Sequence, residues 1–200
     1  MKRIKTIIFD LNRVIVFPQN IDKEYLEELG VSQSNFWKAS KQFMDDYAIG
    51  KITLEQFLRR LIKENGLDDG KLNKSMELHH KNLFVPEETS SLLESLQKNY
   101  KLILAAGDGK ESLGIKLRKF DLHRYFEKIY ATCDFGVTKK KEVFYKKILI
   151  NEMIIPAETL FIDDQKEHIN AAQKTGINVI HFKDIQRLRR DLKSKFNIRF

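Results

Sequence analysis

The chain has one cysteine, Cys133, so it cannot close an internal disulfide, and nothing in its composition calls for an oxidising compartment. Three prolines and nine glycines in 200 residues form no Pro- or Gly-rich stretch, and no internal repeat or low-complexity segment is present. Long apolar runs are missing too. No segment approaches the roughly 18 to 20 apolar residues of a membrane span. The apolar stretch after Lys2, Arg3 and Lys5 is interrupted at Asp10, too early for the core of a signal peptide. The expectation is a soluble, cytoplasmic protein.

With 42% hydrophobic residues the chain can build one good core, or a core domain plus a small insertion. Its formal charge of +8 raises the question of a nucleic-acid partner, because clustered Lys and Arg release counterions from phosphates. Here the charge is spread out. The richest stretch, Gln186 to Arg199, follows Ile185 and sets Leu188, Leu192 and Phe196 at helical spacing with basic residues between them. That pattern describes an amphipathic surface helix. No nucleic-acid-binding motif accompanies it, so neither nucleic acid nor membrane is expected as a partner.

Two short apolar runs end in carboxylates, Thr6 to Asp10 near the start and Thr159 to Asp163 and Asp164 near the end. Runs of β-branched and aromatic residues bounded by polar ones read as buried strands of a parallel sheet, and open α/β sheets gather ligands at the strands' carboxyl ends. Three carboxylates there would repel one another without a cation between them. An all-oxygen set favours a hard ion such as Mg²⁺. The residues alone therefore point to a metal-dependent acidic site that handles an anion.

After residue 86 the pattern alternates: helix Glu87 to Lys98, strand Lys101 to Ala106, helix Glu111 to Phe120, strand Lys128 to Thr132, helix Lys141 to Ile150. Strand Thr159 to Asp163, helix Lys166 to Lys174, strand Asn178 to Phe182 and the C-terminal helix complete it. With Ile4 to Asp10 as a fifth strand, this predicts an α/β fold with a Rossmann-like parallel sheet, residues 1–16 and 87–200. Residues 17–86 break the rhythm with helical patterns only: Ile21 to Leu29, Gln33 to Tyr47, Thr53 to Asn65 and Asp69 to Leu83, with Ser32 and Thr53 as helix caps. Placed directly after the first strand, they predict a small helical cap domain over the acidic site.

Four segments in order carry a family likeness: Phe9 to Ile15, Gly50 to Phe57, Phe135 to Lys139 and Phe161 to Gly176. Together they resemble the motifs of the haloacid dehalogenase superfamily, in the branch with a helical cap that includes sugar-phosphate phosphatases and the N-terminal domains of epoxide hydrolases. The likeness covers nearly the whole length. It implies that Asp10 is the nucleophile of a phosphatase or phosphotransferase and forms an aspartyl-phosphate on a small phosphorylated metabolite. It further implies that Asp163 and Asp164 hold Mg²⁺ or orient its water, and that the backbone carbonyl of residue 12 is also a metal ligand. Lys139 would neutralise Asp10 and the phosphoryl oxygens as a point charge. Lys140 and Lys141 beside it leave the register open, and the distance from Gly136 favours Lys139.

Two departures from the family pattern stand out. An acid usually lies two residues after the nucleophile, protonating the leaving alcohol and then activating water; this chain has Asn12, which can do neither. General acid–base help is worth roughly 10²- to 10⁴-fold, so slow turnover of alkyl phosphates is expected. Aryl or acyl phosphates, which leave without a proton, should react better; comparable rates on both classes would mean that another residue supplies the proton, Asp108 first among them. At the end of the second core strand the family has a hydroxyl residue to bind a phosphoryl oxygen; here stand Ala106 and Gly107. Backbone N–H groups at Gly107 and Gly109 could replace that contact, and a lost hydrogen bond to a charged group costs about 1.5 to 3 kcal/mol. The alternative function is a catalytically impaired relative that binds a phosphorylated ligand or a partner protein. His79 and His80 read as surface histidines with no ligand spacing. Phe36, Trp37 and Phe43 read as cap core, with Trp37 or Phe17 able to reach the pocket, and Arg13 either contacts substrate or lines the hinge.

Overall fold

The computed structural model describes residues 3–18, 26–81 and 83–200. In chain order its strands are β1 (Thr6–Phe9), β2 (Phe17–Pro18), β3 (Leu83–Phe84), β4 (Lys101–Ala106), β5 (Lys128–Ala131), β6 (Thr159–Asp163) and β7 (Asn178–His181). Its helices are α1 (Gln33–Ala48), α2 (Leu54–Glu64), α3 (Lys71–Leu78), α4 (Glu87–Leu96), α5 (Lys110–Lys119), α6 (Thr132–Phe135), α7 (Glu142–Glu152), α8 (Lys166–Gln173) and α9 (Ile185–Phe196).

Five strands pair in parallel in the order β5-β4-β1-β6-β7, with Thr6 in register with Lys101 on one side and Thr159 on the other. Side chains alternate across this sheet as a strand's period of two requires. Ile7, Phe9, Leu102, Leu104, Leu160 and Ile162 face one buried layer with α4 and α9. Ile8, Ile103, Ala105 and Phe161 face the other, against Phe144, Tyr145 and Ile148 of α7. Because both faces are covered, the strands read in the sequence as nearly unbroken apolar runs. The chain winds outward from β1 through β4 to β5, then crosses to β6 and β7. The strand order therefore reverses at β1, and the carboxyl end of β1 is a topological switch point.

The helical insertion falls between β1 and α4. Ser32 Oγ accepts the Asn35 N–H at 3.3 Å at the head of α1, and Thr53 and Gln56 form a reciprocal capping box on α2. Phe57, Leu58, Leu61 and Ile62 of α2 pack on Ala39, Tyr47 and Leu72. Of the helix expected at Ile21 to Leu29, Ile21 to Tyr25 lie outside the described residues, and 26–29 are helical with Leu26 and Leu29 packed against Leu78. The helix expected from Asp69 to Leu83 is shorter: α3 ends at Leu78, and Asn82 lies outside the described residues. A strand pair not expected from the sequence replaces its end, with Phe17 and Pro18 of β2 antiparallel to Phe84 and Leu83 of β3. Two-residue strands leave no periodic signal, and this pairing exists only because both crossings of the insertion meet. No helix among the described residues is long and apolar enough to cross a membrane.

Candidate active site

Asp10 follows β1, and its backbone N–H extends the ladder to Ile162 of β6 at 2.9 Å. That bond sets the Asp10 side chain beside Asp163 and Asp164, and one carboxylate oxygen from each of the three lies within 4.8 Å of the others. Lys139 reaches into this cluster from the loop before α7. Its ammonium donates to Asp10 and, at 2.8 Å, to Asp163, and all three groups are buried. Lys140 instead pairs with Asp45 of α1 at 2.7 Å, and Lys141 caps α7. The structure thus brings Lys139, and neither neighbour, to Asp10.

Asp163, the last residue of β6, and Asp164 after it differ in their surroundings. Asp163 accepts from the Gln165 N–H at 2.7 Å and Lys139 at 2.8 Å, with His168 Nδ1 about 3 Å from both of its oxygens. Burial opposes its charge, but Lys139 and His168 hold its pKa down to about 2. Asp164 has a buried Oδ1 with no hydrogen-bond partner among the described residues, and burial with Asp163 alongside raises its pKa. An orphaned carboxylate oxygen in such a site is satisfied by a cation, so the oxygen set fits a hard divalent ion. Asp10 is pushed up to about 7, first by burial and then by Asp163, against the pull of Lys139. Lys139, despite its burial, is raised by Asp10 and Asp163. The single ammonium is shared among more negative charge than it can neutralise. Burial and the neighbouring carboxylates therefore raise the pKa of Asp10 despite its contact with Lys139, and a further cation in the cluster would lower it.

Asn12 lies two residues on, with its side chain engaged elsewhere. It accepts from the Lys116 ammonium at 2.8 Å and donates to Asp108 at 3.4 Å, while Lys116 and Asp108 form a buried ion pair at 2.5 Å. Although burial opposes the charge of Asp108, Lys116 lowers its pKa, and the Gly109 N–H and Ser112 hydroxyl also donate to it. Asp108 is therefore held as an acceptor, an arrangement that disfavours it as a proton donor. Lys116 is a site residue that no motif in the sequence marks. Ser112 and Lys116 lie one turn apart on one face of α5, and Asp108 in the loop just before the helix meets both. Ala106 ends β4 fully buried, and Gly107 packs so close to Lys139 that a Cβ there would lie 3.0 Å from Cε. At Gly109 a Cβ would lie 2.3 Å from the Tyr47 ring. The glycines thus let α1 and the lysine close over the strand end.

The histidines are not on the surface as expected. His80 shares a 2.9 Å hydrogen bond with Ser112, and burial, His80 and Lys116 hold His79 down to about 3. Both are half-buried between α3 and α5, contacts that no local pattern encodes. Trp37 lies under the Arg13 guanidinium, 5.4 Å from its ring centre, and Arg13 adopts a left-handed φ of 63°.

Two cavities flank the Asp10 loop and share Met44. One, about 510 Å³, is lined by Gly107, Lys139, Gln165 and His168; the other, about 190 Å³, by Asn12, Arg13, Trp37 and Lys116. A larger cavity of about 650 Å³ opens at the far end of the sheet, by Ile4 and Tyr100, away from the carboxylates.

No curated protein sequence gives a significant match. Among solved structures, a haloacid dehalogenase (HAD) family enzyme from Bacteroides thetaiotaomicron, in complex with magnesium and inorganic phosphate, is similar with a TM-score of 0.73. It shares 21% identity over 92% of this chain and 98% of that one. A predicted HAD-like family hydrolase from Porphyromonas gingivalis matches with a TM-score of 0.75, at 22% identity, over 96% of this chain and all of that one. A 2-haloacid dehalogenase from Pseudomonas syringae pv. Tomato DC3000 follows at 0.62 and 18% identity, over 94% and 98%. At such identities these likenesses establish the fold. The sequence itself matches the family across residues 7–182, from inside β1 to the residue after β7, so the chain belongs to the haloacid dehalogenase-like hydrolases.

Proposed function

We propose that the protein is a Mg²⁺-dependent phosphatase or phosphotransferase of the cytoplasm, acting on a small phosphorylated metabolite through an aspartyl-phosphate on Asp10. The observation that carries this reading is the buried Lys139 ammonium bridging Asp10 and Asp163 beside the unpartnered oxygen of Asp164. Asp10, Asp164 and the Asn12 carbonyl would hold the ion, with Asp163 assisting. When bound, Mg²⁺ neutralises charge so that an anionic phosphoryl group can approach a carboxylate. Asp10 attacks phosphorus, and water later hydrolyses the aspartyl-phosphate. Lys139 offsets charge on the phosphoryl oxygens, Asp163 fixes Lys139 in place, and backbone N–H groups after Ala106, from Gly107 onward, receive a phosphoryl oxygen. Residues 17–86 serve as a cap domain over a core of 1–16 and 87–200. The Bacteroides enzyme, crystallised with magnesium and inorganic phosphate on the same fold, supports the choice of ligands.

One observation favours a second reading. Asn12 is tied to the Asp108–Lys116 pair, which leaves no acid at the leaving-group side and suits a catalytically impaired protein that binds a phosphorylated ligand or partner. Calorimetry and a phosphate-ester panel separate the two. Mg²⁺ should bind in the presence of inorganic phosphate, binding should be lost in Asp10→Ala and in Asp164→Ala, and Asp10→Asn should abolish turnover. Mg²⁺ binding that survives Asp10→Ala would refute the site. Binding without turnover of any ester would leave only the second reading.

A further inference from the structure

The 190 Å³ cavity beside Asn12 has a composition that the phosphoryl site does not explain. Trp37 and Phe36 meet edge to face at 5.5 Å, and with Phe57 and Met44 they form an apolar wall. A cavity of roughly 150 Å³ suffices for a benzene ring. Within this wall Ser40 is buried, and its hydroxyl has no hydrogen-bond partner among the described residues. A buried hydroxyl left unpaired is destabilising, so its presence in a cavity wall points to a ligand atom that completes it. At the Asn12 end the same wall contains the Lys116 ammonium, and Arg13 lies over Trp37. A sugar would bring several hydroxyls to a pocket in which Asn12 and Lys116 are already bonded to each other and to Asp108. Arg13, Ser40 and His79 are the other polar groups of the lining, too few to repay the desolvation of all the hydroxyls of a sugar.

The geometry points to a leaving-group pocket for an aryl phosphate whose ring has a hydrogen-bond acceptor opposite the ester, an inference that rests on phosphoryl transfer through Asp10. The ring lies against Trp37 and Phe57, the acceptor meets the Ser40 hydroxyl, and the ester oxygen points toward Lys116. The Asp10 oxygen forms its bond to phosphorus as the aryl O–P bond breaks, and the electron pair leaves on the aryl oxygen. A phenolate needs a nearby cation and no proton at that moment, which is what a site with Lys116 and Asn12 offers. The phenolate takes its proton from water after release.

Trp37 is the only tryptophan in the chain, so its fluorescence reports on this pocket alone. Wild-type protein with Mg²⁺ is titrated with phenol and with 4-hydroxybenzamide, the dephosphorylated probes, and separately with inorganic phosphate followed by calorimetry. Both phenols should change Trp37 emission saturably. The benzamide should bind roughly two- to tenfold more tightly through one added hydrogen bond, and Ser40→Ala should erase that advantage while retaining phenol. Silent Trp37 emission with normal Mg²⁺ and phosphate binding overturns the aryl pocket and leaves the phosphoryl-transfer reading intact. Saturable phenol binding without Mg²⁺ or phosphate binding upholds the aryl site and overturns the reaction assigned to Asp10.

Discussion

At the scale of single residues, the proposed phosphoryl transfer depends most on position 12. The Asn12 amide has its oxygen toward the Lys116 ammonium and its nitrogen toward Asp108, so it is locked by a buried ion pair. Asn12→Asp would set a second carboxylate against Asp108 with one lysine between them, and the like charge would raise the pKa of the new acid. A carboxyl that holds its proton near neutrality is a better general acid. We expect at least a roughly tenfold gain in kcat/KM on alkyl phosphates and little change on aryl phosphates, read from steady-state rates on paired esters. Equal gains on both classes would mean that proton donation is not what the wild-type site lacks. Asp163 and Asp164 at the end of β6 show the same dependence on neighbours: identical in type and adjacent in sequence, they differ because His168 and Lys139 hydrogen-bond Asp163 and not Asp164.

At the scale of elements, the helices of the insertion begin where their caps lie, and the caps do more than mark ends. Thr53 and Gln56 satisfy two orphan N–H groups of α2, whose buried face of Phe57, Leu58, Leu61 and Ile62 is the centre of the inserted layer. Thr53→Ala should destabilise that layer by about 1 kcal/mol, lowering the urea midpoint without altering the slope. Thr53→Ser should restore most of the loss, since a serine hydroxyl reaches the same N–H. On the core side, Asp184 caps α9 by accepting the Arg187 N–H at 2.7 Å, and Leu188 and Leu192 are buried beneath it. Of the basic residues on this helix, Arg187, Arg190, Lys193 and Lys195 are exposed, while Arg189 is partly buried and donates to the Glu88 carbonyl at 3.2 Å.

At the scale of the whole molecule, protonation of His79 in the insertion and of Asp10 in the core affects stability in opposite senses. His79 stays neutral in the folded protein down to about 3, while an unfolded histidine takes its proton near 6.5, so stability falls as pH drops below that value. At pH 5 this amounts to roughly 1 to 2 kcal/mol. Asp10 acts in the opposite sense in the metal-free protein: its folded pKa of about 7 exceeds the unfolded value, so stability rises as pH falls from 7 toward 4. If Asp10 holds Mg²⁺ as proposed, saturating ion would keep it ionised and remove that compensation. Melting temperatures between pH 7 and 5 should therefore fall more steeply with Mg²⁺ than without it, and Asp10→Asn should abolish the difference. Parallel curves would show that Asp10 is not the ion's ligand. The sequence by itself determined the parallel core, because strands covered on both faces must be apolar throughout, and it located Asp10, Asp163 and Asp164 because strand ends at a switch point are where such sheets hold polar groups. Capping chemistry at Ser32 and Thr53 was equally legible, being local. Only the tertiary structure decided which of three adjacent lysines enters the site, that Asp163 anchors Lys139 while Asp164 is left with an open oxygen, that β2 pairs with β3, and that His79 and His80 are half-buried. Each of these depends on side chains meeting across loops far apart in the chain, where burial and neighbouring charge, rather than local pattern, determine what a residue does.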